Sequence, residues 1–148
     1  MSGVREATEE DTDALLAAYE WLFAPPGSVP PGWDPAAARA AIVRALASER
    51  STIFVSEADG RLTGLCSAYV ELDSVRFGTR CWVEDLVVDP ALRSRGTGKA
   101  LLDAAKDWAG GRGATHLELD SGVERTDAHR FYEREQPSWE SKCYAWEL

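Results

Sequence analysis

Residues 81–109 change period in the middle of an apolar stretch. "CWVEDLVVD" (81–89) reads as a strand ended by Asp89-Pro90. "GTGKALLDAAKDWA" (96–109) aligns Leu101, Ala105 and Trp108 on one helical face and ends at Gly110-Gly111. Between them lies "RSRGTG" (93–98), with glycines at 96 and 98 and arginines at 93 and 95. A chain with this unit must pass from a central strand almost directly into an amphipathic helix. A helix that starts near Gly96 or Thr97 presents unpaired backbone N–H groups and a partial positive charge. The glycines leave the backbone open to a ligand, and Arg93 and Arg95 add charge, which together suit a phosphate or pyrophosphate. The alternative is a plain strand-to-helix turn with solvated arginines. Two other phosphate motifs fail: Gly98-Lys99 is followed by Ala100, which excludes a P-loop, and Leu101 breaks the dinucleotide fingerprint.

The rest of the chain surrounds this unit with short elements. "VREAT" (4–8) is a strand, and "EEDTDALLAAYEWLF" (9–23) is a helix with Glu9, Glu10 and Asp11 at its positive end. "APPGSVPPGW" (24–33) has prolines and glycines enough to forbid helix and central strand. Asp34 then caps a helix with Pro35 in its first position and Ile42 and Leu46 on one face. "STIFVSE" (51–57), "ADGR" (58–61) and "LTGLCSAYVEL" (62–72) form a hairpin, and "DSVRFGTR" (73–80) a loop. "THLELD" (115–120) is a strand, "TDAHRFYERE" (126–135) a short helix, and "SKCYAWEL" (141–148) a terminal strand. The expected order is β α α β β β α β α β, an α+β fold with one mixed sheet, in a single domain spanning 1–148.

Composition removes several function classes. The chain has 148 residues, 45% of them apolar, enough for one domain with a real core. A net charge of −9 argues against nucleic-acid binding, which needs clustered Lys and Arg, and favours a cationic partner. No apolar run is long enough to span a bilayer, and the first residues lack the apolar core of a signal peptide. Cys66, Cys81 and Cys143 show no metal-ligand spacing. They are expected to be buried free thiols in a cytoplasmic protein, with no metal.

The stretch "VEDLVVDPALRSRGTGKALLDAA" resembles the acetyl-CoA-binding motif of the GNAT N-acetyltransferase superfamily, [Q/R]-x-x-G-x-[G/A] after a strand and opening a helix. Arg93, Gly96 and Gly98 match it. "DAHRFYERE" is similar to the family's second motif, and the element order agrees over nearly the whole chain. The resemblance implies a GNAT-like mixed sheet flanked by helices, acetyl-CoA as donor and a primary amine as acceptor. It implies a pyrophosphate held by Arg93 and by the backbone of Arg95, Gly96, Thr97, Gly98 and Lys99. The pantetheine arm would lie along Leu86, Val87 and Val88, between splayed fourth and fifth strands, with Ser121 near its far side. Dimers are common in the family, so a homodimer is an expectation. Two positions depart from the family pattern: Arg125 stands where asparagine is frequent, and Gln136-Pro137 where Gly-Phe is.

Amine acetylation needs a base, an oxyanion stabiliser and a proton for the departing thiolate. Tyr132 is the candidate acid, since a phenol is protonated at neutral pH and carries a polar tip on an apolar body; the alternative is packing beside Phe131. Glu84 is the candidate base, through water, with Asp85 as an amine-binding group. The strand period puts these two on opposite faces unless a bulge intervenes. The alternative is that one of the two acids forms a salt bridge with Arg80 or another basic residue. His129, near Tyr132 in sequence, is read as a solvated helix residue rather than a shuttle. Trp33, Glu71 and Asp73, with Trp21, Phe23 and Phe77, frame the acceptor end, where aromatics and acids suit a cationic amine. The expected function is direct acetyl transfer to a small, cationic primary amine. The rivals are a non-catalytic acyl-CoA-binding sensor or scaffold and a protein N-terminal or lysine acetyltransferase.

Overall fold

The computed structural model describes residues 2–93 and 95–148, except for the side chains of Ser2, Glu71 and Leu72. Glu71, an expected acceptor-site residue, therefore has its side chain outside the described set. The chain runs β1 (Ser2–Glu6), α1 (Thr12–Ala18), α2 (Glu20–Phe23), α3 (Pro35–Ala47), β2 (Ser51–Ala58), β3 (Arg61–Ser74), β4 (Gly78–Val88), α4 (Thr97–Gly111), β5 (His116–Glu118) and α5 (Thr126–Arg134). The strands form one five-stranded sheet in the order β1-β2-β3-β4-β5. Every pairing is antiparallel except β4 with β5, which is parallel across the α4 crossover.

Local chemistry accounts for the joints. The Asp34 carboxylate accepts from the Ala36 N–H at 3.0 Å, with Pro35 behind it, so α3 starts where the cap and the ring dictate. Asp59 and Gly60 have φ of 52° and 75°, and Ala58 pairs with Arg61, so two left-handed residues close the β2–β3 hairpin.

The period-2 alternation of the strands then feeds two cores. Phe54, Cys66, Ala68, Cys81 and Val83 meet Leu101, Ala105 and Trp108 of α4 on one face. Ile53, Val55, Leu65 and Val87 meet Leu15, Ala18 and Ile42 of α1 and α3 on the other. Full burial of one such aliphatic side chain contributes about 1.5–3 kcal/mol, so the sheet is held from both sides.

Several expected boundaries change. The helix expected over 9–23 is three pieces, with a turn at Tyr19 between α1 and α2. The loop expected over 73–80 is mostly strand, because β3 and β4 continue into a hairpin with Asp73 opposite Thr79. The strand expected at Ser141–Leu148 is absent: this segment is exposed and carries no strand hydrogen bonding. A strand needs a partner edge to supply its hydrogen bonds, and none is offered to this segment among the described residues. Cys143 is accordingly exposed, while Cys66 and Cys81 are buried as expected.

Candidate active site

β4 pairs with β3 along most of its length, down to Val88 opposite Gly64. It pairs with β5 only at Arg80–Trp82, opposite His116–Glu118. From Val83 to Val88 the edge facing β5 therefore has no strand partner among the described residues, and its backbone groups line a slot beside β5. Leu86 and Val88 lean from this stretch onto the α4 core, and Val87 onto the opposite one. Ser121 follows β5 in the loop on the far side and is half-buried.

The slot leads to the start of α4. Asp89 accepts from the Ala91 N–H at 2.9 Å and turns the chain out of β4. Arg93 and Arg95 are exposed. Gly96 is the N-cap of α4 at φ 79°, where no side chain caps the helix and a β-carbon would meet nothing within 4 Å. The first-turn amides of Thr97, Gly98 and Lys99 thus remain open, a cradle that fits a pyrophosphate. The Lys99 ammonium is engaged elsewhere, with Asp103 at 2.9 Å and Glu135 at 3.4 Å, so its contribution here is its amide. A β-carbon on Gly98 would stand 3.6 Å from the Phe131 ring. Gly98 therefore faces α5, where a β-carbon would make an ordinary van der Waals contact with that ring.

At the other end of the slot, Glu84 and Asp85 share one face. Ser67 pairs with Asp85 and Ala68 with Val83, so Glu84 is the extra residue of a β-bulge. The bulge resets the alternation: Val83 faces α4, whereas Asp85 and Val87 face α1. The Tyr19 hydroxyl donates to Asp85 Oδ2 at 2.7 Å, and the Asp85 N–H donates to Ser67 Oγ at 3.1 Å. Burial pushes the Asp85 carboxyl above its usual range, and neighbouring Glu84 adds to this; the bonds from Tyr19 and Ser67 and the charge of Arg125 pull it back. Burial and the Asp85 charge together hold the Tyr19 phenol far above its ordinary value. Glu84 is exposed and accepts from Trp82 Nε1 at 2.8 Å. Arg80 pairs with Glu118 rather than with either acid.

Trp33 joins this face. Its ring lies 6.5 Å from Tyr19 and edge-on to Phe23 at 4.8 Å, so the proline loop is folded against the Asp85 end of the slot. Asp73 is placed elsewhere, accepting from Thr79 Oγ1 at 2.7 Å at the tip of the β3–β4 hairpin. Phe77 packs with His116 and Trp139, also away from the acids.

Tyr132 sits on α5, beside Phe131 and half-buried. Burial pushes its phenol up to about 12, with Arg125 pulling the other way, so it stays protonated at neutral pH. Cys66 and Cys81 are pushed by burial up to about 12 and about 11, which leaves them as thiols.

Tyr19, Ser67, Trp82 and Arg125 are participants that periodicity alone does not reveal. Tyr19 reads as one more apolar-face residue of a helix. Trp82 and Ser67 read as strand positions. Arg125 carries a signal in its departure from the family pattern.

Residues 15–136 match the Acetyltransferase (GNAT) family. The chain belongs to the GNAT acetyltransferase family. Its expected α+β fold and family are therefore established. Among GNAT relatives, it is 40% identical over 84 residues to an uncharacterized N-acetyltransferase, YhdJ, of Bacillus subtilis (strain 168). That alignment spans 57% of this chain and 58% of YhdJ, so the chain matches little more than half of that relative. It is 30% identical over 132 residues to the aminoalkylphosphonate N-acetyltransferase of Salmonella typhimurium, covering 89% of this chain and 82% of that protein. The solved aminoglycoside N-acetyltransferase AAC(6')-Iy, in complex with CoA, superposes with a TM-score of 0.86 at 19% identity, over 100% of this chain and 95% of that one.

Proposed function

We propose that this GNAT protein transfers the acetyl group of acetyl-CoA directly to the primary amine of a small, cationic molecule. The observation that carries the reading is the free β4 edge, which runs from the Glu84–Asp85 bulge to the open amides of α4. The amides of Arg95 to Lys99 and the side chains of Arg93 and Arg95 hold the pyrophosphate. The backbone of Leu86, Val87 and Val88 takes the pantetheine arm as a strand takes a neighbour, with Ser121 opposite. Acetyl-CoA supplies a thioester, which an uncharged amine can attack.

The chain supplies the rest. Asp85, backed by Tyr19, attracts the ammonium form, and Trp33 offers it an aromatic face. Glu84, held by Trp82, accepts the amine proton through water. Tyr132 keeps a proton for the departing thiolate. Protonated Cys66 and Cys81 are poor nucleophiles, which supports direct transfer over a covalent enzyme intermediate.

A zwitterionic acceptor is the second reading. The aminoalkylphosphonate-acetylating relative favours it, as does the Arg125 guanidinium close enough to Asp85 to act on its charge. Asp73, bonded to Thr79 at the β3–β4 hairpin tip, is not part of this acceptor proposal. No described helix is long and apolar enough to cross a membrane; a cytoplasmic site of action is part of the proposal. So is a homodimer, supported by exposed Tyr144, Trp146 and Leu148 and tested by sedimentation.

The deciding experiment measures thiol release from acetyl-CoA across aminoglycosides, polyamines, amino acids, aminoalkylphosphonates and peptides. Turnover with a free small amine is expected. Acetyl-CoA binding without turnover would indicate a sensor or scaffold, and turnover with peptides alone a protein acetyltransferase.

A further inference from the structure

Arg125 starts α5 with its backbone and reaches away from it with its side chain. Its N–H donates to the Gly122 carbonyl at 3.0 Å, and its own carbonyl accepts from His129 at 3.1 Å. The guanidinium Nη2 donates to the Leu22 carbonyl at 3.1 Å, across 103 positions of sequence. Leu22 lies at the end of α2, where helix carbonyls lack intrahelical partners, so the bond meets an acceptor that the helix itself leaves open.

Gly27 makes room for this bond. A β-carbon there would lie 2.8 Å from the same guanidinium nitrogen and would collide with the Leu22 carbonyl. The Gly27 N–H in turn donates to Ala24 at 2.8 Å, which holds the start of the proline loop over α2. The segment so held carries Tyr19, Phe23 and Trp33, the groups packed at the Asp85 end of the slot.

We propose that Arg125 is a positioning residue for the acceptor amine: it clasps the Leu22 carbonyl and fixes the wall of Tyr19, Phe23 and Trp33 against the start of the helix carrying Tyr132. This rests on the acetyl-transfer reading of the site. The clasp ties the side that receives the amine to the side that holds the leaving-group proton. Its loss changes where the amine sits and leaves the pyrophosphate cradle, on another element, as it was.

The test compares Arg125→Ala, Arg125→Gln and Arg125→Lys with wild type, each beside a melting curve. Arg125→Ala loosens the wall that receives the amine and should raise the acceptor KM by roughly tenfold or more, about 1.4 kcal/mol. Acetyl-CoA affinity by calorimetry should stay within about twofold, by the same reckoning. Hydrogen exchange over residues 20–34, measured without any amine, should quicken in Arg125→Ala and return towards wild type in Arg125→Gln or Arg125→Lys, which keep a donor. An unchanged acceptor KM, a loss of acetyl-CoA affinity in its place, or exchange over 20–34 that ignores all three substitutions would overturn the proposal. If Arg125→Ala does not fold, the Gln and Lys variants carry the comparison. Wild-type turnover judges the acetyl-transfer reading, and amine-free exchange judges the clasp, so the two can fail separately.

Discussion

Tyr132 and Tyr19 are both half-buried, and they differ in what their hydroxyls meet. Tyr19 spends its hydroxyl on Asp85. Tyr132→Phe keeps the ring and removes the proposed acid. Single-turnover transfer should slow by roughly 10²–10⁴, the usual worth of general-acid help, with the melting temperature and acetyl-CoA affinity near wild type. Normal transfer by a folded variant would take Tyr132 out of the mechanism. Tyr19→Phe acts differently. The Tyr19 bond lowers the Asp85 pKa, so removing it raises that pKa further above the usual carboxylate range. Asp85 is then charged only at higher pH, and the acid limb of kcat/KM should move upward. A pH–rate profile measures this, and an unmoved limb would mean that Asp85 does not bind the amine as a carboxylate.

At the scale of elements, α4 serves the core and carries the proposed pyrophosphate cradle. Its buried face holds Leu101 with no exposure, packed against the sheet at Gly64 of β3. Leu101→Ala should cost about 2–5 kcal/mol, the range for buried leucines, read as a drop in the denaturation midpoint. Its N-terminus depends on Gly96, whose φ of 79° disfavours any side chain. Gly96→Ala should cost about 1–2 kcal/mol and weaken acetyl-CoA binding, because the amide cradle shifts with the cap. A folded variant with wild-type affinity would place the pyrophosphate elsewhere.

For the whole molecule, buried thiols and charge set the response to solution conditions. Cys66 and Cys81 have native pKa values above those of the unfolded chain. Above about pH 8.5, the ordinary thiol value, the unfolded state loses these protons first and binds fewer than the native state. Stability is therefore full below that pH and falls as pH rises, until the native thiols ionise near about 11 and about 12. Urea midpoints between pH 7 and 11 would show the decline, and a flat profile would contradict the burial of both thiols. The net charge of −9 should also speed the encounter with a cationic amine. kcat/KM should then fall as salt shortens the Debye length to about 8 Å and below. Salt-independent kinetics with the true acceptor would favour the zwitterionic reading.

The sequence by itself determined what depends on neighbours along the chain. Asp34-Pro35 and Asp59-Gly60 mark a helix start and a hairpin because caps and left-handed turns are local chemistry. The period change across "RSRGTG" marks the strand-to-helix cradle for the same reason, and with "FYE" it carries the family. The tertiary structure decided what depends on pairing between distant segments. Whether Glu84 and Asp85 share a face was settled by an inserted residue against Ser67–Ala68 of β3, since a bulge exists only between two strands. Tyr19 met Asp85, and Arg125 met Leu22, through packing that no local period encodes. Asp73, equally acidic and on the neighbouring strand, went to a hairpin tip instead. The segment "SKCYAWEL" reads as a strand, yet it stayed unpaired. A strand takes its hydrogen bonds from a partner, and the sequence of one segment cannot say whether a partner will be there.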